Sequence, residues 1–144
     1  MTTDISERGL ERLICTTLTG SPCEPDSAEA SSEHPTSSGL GWLCGNRRDY
    51  DREHCLDLAQ LSAFLAATQP EVAGALGLSE DSPARRSFLA RLQGEVARRG
   101  TVHVLRNGVK HGPHQIDLFY GTPSPENERA RTLYAHNRFT VTRQ

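Results

Sequence analysis

The side chains of this 144-residue chain that could do chemistry include four cysteines, six histidines, sixteen basic residues and eighteen acids. Cys15, Cys23, Cys44 and Cys55 form no CxxC pair, the knuckle from which a structural zinc usually takes two ligands, so they read as reduced thiols without a common site. His103, His111 and His114 fall around an expected strand pair, where alternation could bring two together. No carboxylate or cysteine stands at matching spacing, so they read as exposed loop histidines rather than a metal site. Arg85, Arg86, Arg91, Arg98 and Arg99 make one expected helix locally basic, with Arg91 and Arg98 two turns apart on one flank. Such a flank could follow a DNA backbone. A solvated face, or a contact to other domains, fits the same residues equally. Asp117 is placed on a strand as a metal-binding aspartate would be, yet alternation reads it as a polar residue on a half-exposed face. HGPHQ and GTPSP read as turns, and the sequence has no Gly-rich phosphate loop ending in Lys-Ser/Thr.

The elements that must position these groups follow from periodicity and punctuation. Residues 4–18 predict an amphipathic helix, opened by a capping box of Asp4 and Glu7 and ended by Gly20. Leu10, Leu13, Ile14, Thr17 and Leu18 form its expected buried stripe, with Glu7 and Glu11 on one flank. Residues 19–49 are rich in Ser, Pro and Gly, with too little apolar surface to offset the entropy of ordering them, and read as a flexible insertion. Trp42 and Leu43 are expected to dock its end. A helix over 51–67 buries Leu58, Leu61 and Leu65. Thr68 to Glu71 predicts a capping box for a short helix with Val72 and Leu76, stopped by Gly77. Ser82 and Pro83 open a helix that buries Phe88, Leu89, Leu92 and Val96 and stops at Gly100. Residues 101–106 alternate like a strand, with Asn107-Gly108 as a hairpin turn. A strand over 115–120 sets Ile116, Leu118 and Tyr120 on one face and Asp117 and Phe119 on the other. Ser124-Pro125 predicts the start of a helix carrying Ala130, Leu133 and Tyr134. After Asn137, Phe139 and Val141 alternate with Thr140 and Thr142.

Composition bounds the rest. The length predicts one domain. Hydrophobic content of 35% and a mean hydropathy of -0.55 leave a sizeable part of the chain outside any core. A formal charge of -2 argues against a free-standing nucleic-acid binder, although a local patch is compatible with it. No apolar run has transmembrane length, and the start MTTDISERGL is acidic and polar where a signal peptide is basic and then apolar. A cytoplasmic, non-membrane protein is the expectation.

One resemblance goes further. LFYGTPSPEN, then Asn137, Phe139, Val141 and Gln144 in NRFTVTRQ, resembles the N-terminal region of the restriction (R) subunit of type I restriction-modification enzymes. Upstream, GNRRDYDREHCLDLAQLSAFLAATQPE and RRGTVHVLRNGVKH continue the match, which covers most of the chain outside residues 20–40. The resemblance implies a mixed α/β fold, N-terminal helices followed by a small sheet, as the front portion of a restriction-endonuclease-like PD-(D/E)xK domain. It implies DNA as partner, with modification (M) and specificity (S) subunits. It also implies magnesium and ATP as cofactors of the complete subunit, which cuts unmodified foreign DNA. In that family an aspartate and an acidic-x-Lys triplet bind magnesium, the lysine steadying the attacking water. Lys110 is the only lysine here and Gly108 stands two residues before it, so the triplet is absent. The family's triplet lies shortly beyond the position matching Gln144. The chain is therefore expected to hold no complete catalytic site, and neither nuclease nor motor activity of its own. Glu11 matches a helix that supplies an accessory acid in such nucleases, while a solvated helix-flank charge is the plainer reading. Two rival readings are a catalytically inactive docking or inhibitory module in place of a full R subunit, and the inactive product of a truncated gene.

Overall fold

The computed structural model describes residues 6–24 and 39–143. Asp4 and residues 25–38, the middle of the expected flexible insertion, lie outside the described residues. The fold is mixed, with helices and short strands, and the chain divides into two compact units, Met1–Asp51 with Arg138–Gln144, and Arg52–Asn137.

The first unit holds helix α1 (Glu7–Thr19) and strands β1 (Leu43–Cys44), β2 (Tyr50–Asp51) and, from the far end of the chain, β6 (Thr140–Val141). Ser6 caps α1, its hydroxyl accepting the Gly9 N–H at 3.1 Å, and Gly20 ends the helix in the left-handed conformation with φ of 79°. The Leu18 carbonyl accepts N–H groups from Leu40 and Trp42. Strands β1 and β6 pair in parallel, Leu43 opposite Thr140 and Cys44 opposite Val141. Trp42 packs on Phe139 with ring centroids 5.4 Å apart, so the expected docking of Trp42 and Leu43 is met, Leu43 being buried. The sidedness of α1 is not as expected. Leu10, Leu13 and Ile14 are 57%, 61% and 45% exposed, and the helix instead turns Cys15 and Thr19, four residues apart, inward. Those two meet Cys23 and Cys44, which are joined in a disulfide with a Cα–Cα distance of 5.5 Å. The expectation of four reduced, unrelated thiols is corrected: spacing in sequence carries no record of two cysteines 21 positions apart being folded together.

The second unit holds β3 (Leu56–Asp57), α2 (Leu58–Thr68), α3 (Pro70–Leu76), α4 (Pro83–Arg99), α5 (Thr101–Asn107), the hairpin β4 (Val109–His111) and β5 (His114–Ile116), and α6 (Glu128–Ala135). Helix α2 starts later than expected, capped by Asp57, which accepts the Gln60 N–H. Helix α4 follows the sequence closely: Ser82 caps it, Pro83 opens it, Gly100 ends it, and Phe88, Leu89 and Leu92 are buried. They join Phe64, Leu65, Leu76, Leu78, Val104, Val109 and Ile116 in one core.

Three expectations in this unit are corrected. Residues 101–106 form helix, not strand. Gly100 and Gly108 bracket a single short helix that seats Val104 in the core, and this packing overrides the strand preference of its β-branched residues. The hairpin turn consequently falls at Gly112-Pro113, with Gly112 at φ of 57°, the sign that a two-residue turn led by glycine requires. Gly108 has φ of 68°, and a Cβ there would collide with the Ile116 carbonyl oxygen, so the position admits only glycine. Finally, α6 begins at Glu128. Asn127 is its cap, accepting the Ala130 N–H at 2.9 Å, while Ser124 accepts the Asn127 N–H across a turn with Pro125 at its second position. The pairing of the expected 115–120 strand ends at Ile116, although Leu118 and Tyr120 still face the core as alternation requires.

Candidate functional site

In the first unit, α1 presents Glu11 to Arg143, two residues beyond β6. The Arg143 Nε lies 3.4 Å from Glu11 Oε2, and its Nη1 donates to the Pro22 carbonyl at 3.2 Å and to Glu24 Oε2 at 3.5 Å. The guanidinium is nearly buried, and Arg12 adds a second ion pair to Glu24 at 3.4 Å. One turn along α1 from Glu11, Cys15 is buried beside the disulfide. Burial pushes its thiol pKa up, the Arg143 charge opposes this, and Glu11 adds to it. The Thr19 hydroxyl lies 2.9 Å from the Cys15 carbonyl, accepts the Ser21 N–H at 3.0 Å, and stands 3.4 Å from both disulfide sulfurs. Glu11 thus meets a cation. A magnesium site needs several converging oxygens, and among the described residues no group of three or more His, Cys, Asp or Glu is arranged to hold a metal. The described residues around Glu11 do not gather the oxygens that the resemblance implies for magnesium.

In the second unit, the α4 arginines converge on one acid. Glu95 is buried, and its Oε1 receives Arg98 Nη2 at 2.6 Å and Arg91 Nη2 at 3.5 Å, while Oε2 receives Arg99 Nε at 3.0 Å. Spacings of i-4, i+3 and i+4 put all three on the Glu95 side of the helix, which is why they meet there. Arg91 also donates from Nε to the Lys110 carbonyl at 3.3 Å, and Arg99 touches His103. Sequence reading marked Arg91 and Arg98 but missed Glu95, whose signal was its helical spacing to both. Arg85 and Arg86 are engaged by Asp81. His103 lies on α5, while His111 and His114 face each other across the hairpin, with the His111 ring packed edge-on against Phe88.

Asp117 and the motif around it are held by carboxamides. Gln69 accepts the Asp117 N–H at 3.0 Å and donates to its carbonyl at 2.8 Å, replacing a neighbouring strand. The expected capping box at the start of α3 is not formed: Gln69 stands at the cap without a side-chain cap bond, and the Thr68 hydroxyl donates to the Phe64 carbonyl at 2.8 Å instead. Asn137 does the same for Tyr120, accepting its N–H at 3.0 Å and donating to its carbonyl at 2.7 Å. Asn137 thereby ties the start of LFYGTPSPEN to NRF. Burial pushes the Tyr120 phenol pKa up; a hydrogen bond from Thr68 opposes it, Asp117 adds to it, and Arg129 lowers it.

Comparison with protein-family models, with curated proteins and with solved structures finds no match for this chain. No described helix is long and apolar enough to cross a membrane.

Proposed function

We propose that this chain is the N-terminal portion of a type I restriction R subunit, a cytoplasmic protein whose complete form cleaves unmodified DNA with ATP and magnesium in a complex with M and S subunits. The observation that carries the reading is the place of Glu11: α1 brings it to the end of β6, beside Arg143. The resemblance calls for an acid on the helix before the sheet, and Glu11 stands there with Arg143, not a metal, as its partner. The Asn137 clamp supports the same reading, because it gives the quoted motif a structural reason for its asparagine. This polypeptide itself contains neither an acidic-x-Lys triplet nor a phosphate loop. Purified alone, it should neither nick DNA with magnesium nor hydrolyse ATP, and co-expressed with the M and S subunits of its own source it should co-purify with them. Failure to co-purify would overturn the R-subunit reading. Magnesium-dependent nicking lost in Glu11→Ala or Asp117→Ala would show a working site within the chain.

A further inference from the structure

The net charge of -2 conceals a strong segregation. Residues 85–114 carry seven of the sixteen basic side chains and one of the eighteen acids, a balance of +6, while the remainder, with nine basic and seventeen acidic residues, carries -8. At the start of α4 the single Asp81 is shared by Arg85 and Arg86, leaving a surplus of one. Further along the surplus is larger. Three guanidiniums share the single Glu95 carboxylate, leaving a local surplus of two, and their side chains remain 48% (Arg91), 61% (Arg98) and 48% (Arg99) exposed. Lys110 is exposed beside Arg91, and the exposed His103 beside Arg99 continues the surface onto α5.

The arrangement differs from a solvated run of charge in one respect: a buried carboxylate orders the guanidiniums, so less side-chain entropy remains to be lost when they bind. Planar guanidinium forks match phosphate oxygens. From Arg91 to Arg99 the helix advances about 12 Å, a length over which duplex DNA carries about seven phosphate charges. The geometry points to a contact for the DNA backbone, independent of base sequence, made by Arg91, Arg98 and Arg99 as ordered by Glu95, with Lys110 beside them. It deepens the reading above by naming a face through which DNA is held, and rests on that reading only in taking DNA as the polyanion.

The test is binding of the full chain to two 30-base-pair duplexes of unrelated sequence, read by fluorescence anisotropy between 50 and 200 mM salt. Both duplexes should bind alike, with a log–log salt slope of about -3. Arg91→Gln with Arg98→Gln should lower affinity about tenfold at the low-salt end and reduce the slope by about 2, since each lost phosphate contact removes about 0.9. Arg98→Gln alone, at an exposed position, should reduce it by about 1 and decides the matter if the double variant does not fold. Arg91→Lys with Arg98→Lys should hold the slope, and Arg129→Gln with Arg131→Gln on α6 should change nothing. The proposal is overturned by absence of binding at 50 mM, by unchanged binding in the Gln variants, by equal loss in the α6 variant, or by polyglutamate binding as tightly as DNA. Neither M nor S subunit enters the assay, so this inference and the R-subunit reading fail separately.

Discussion

Cys15 shows how one buried group ties the first unit to pH. Its pKa is raised chiefly by burial, and Tyr120 in the second unit is shifted in the same direction for the same reason. In the unfolded chain each group ionises at its ordinary value, and in the folded chain at a higher one. The stabilisation is therefore fully present below the ordinary values and declines as pH rises from there through the folded values. The urea midpoint should stay level with respect to these groups near neutrality and fall on the alkaline side, and Cys15→Ala should make that fall shallower. A midpoint that climbs with alkali, or a Cys15→Ala profile parallel to the parent, would refute the assignment. Cys55, exposed, should be alkylated readily at neutral pH while Cys15 resists.

At the level of elements, the segment after β5 stays extended although, among the described residues, no strand pairs with it. Gln69 and Asn137, 48 and 17 residues distant, supply the donor and acceptor that a neighbouring strand would have supplied to Asp117 and Tyr120. Backbone groups partly withdrawn from water need partners, and here two carboxamides supply them. Asn137→Leu removes both bonds to Tyr120 and should cost roughly 1–3 kcal/mol in urea unfolding. Asn137→Asp keeps the acceptor but sets a carboxylate against the Tyr120 carbonyl, and should be destabilising as well. Should both variants match the parent, Asn137 is not a clamp.

Across the whole molecule, the Cys23–Cys44 disulfide closes a loop between residues 21 apart in the first unit. Cross-linking of that length removes unfolded-state entropy worth about 3 kcal/mol, so reduction should lower stability by about that much, as should Cys23→Ser with Cys44→Ser. Peptide mapping without reductant should recover Cys23 and Cys44 linked. Four free thiols, or the same urea midpoint with and without reductant, would remove the disulfide from the account. The bond also bears on where the chain works, because disulfides persist in oxidising compartments while the proposed cytoplasmic role would expose this one to reduction.

Local rules settled much of this chain. The Ser82-Pro83 opening and Gly100 close of α4, its apolar face, and the alternation that turns Ile116, Leu118 and Tyr120 to the core are all written in residues a few positions apart. Backbone preference and side-chain period act over that range. Other features needed partners that only folding brings near. Residues 101–106 have the alternation of a strand and become helix because Val104 finds the core from there. The apolar stripe of α1 faces outward because Cys15 and Thr19 have the disulfide to pack on. Ser124 and Asn127 are both good caps by residue type, and the three-dimensional turn chose Asn127. The arginines were legible, but their convergence on Glu95 and the burial of that acid were decided by packing, since burial is a property of the surroundings and not of the residue.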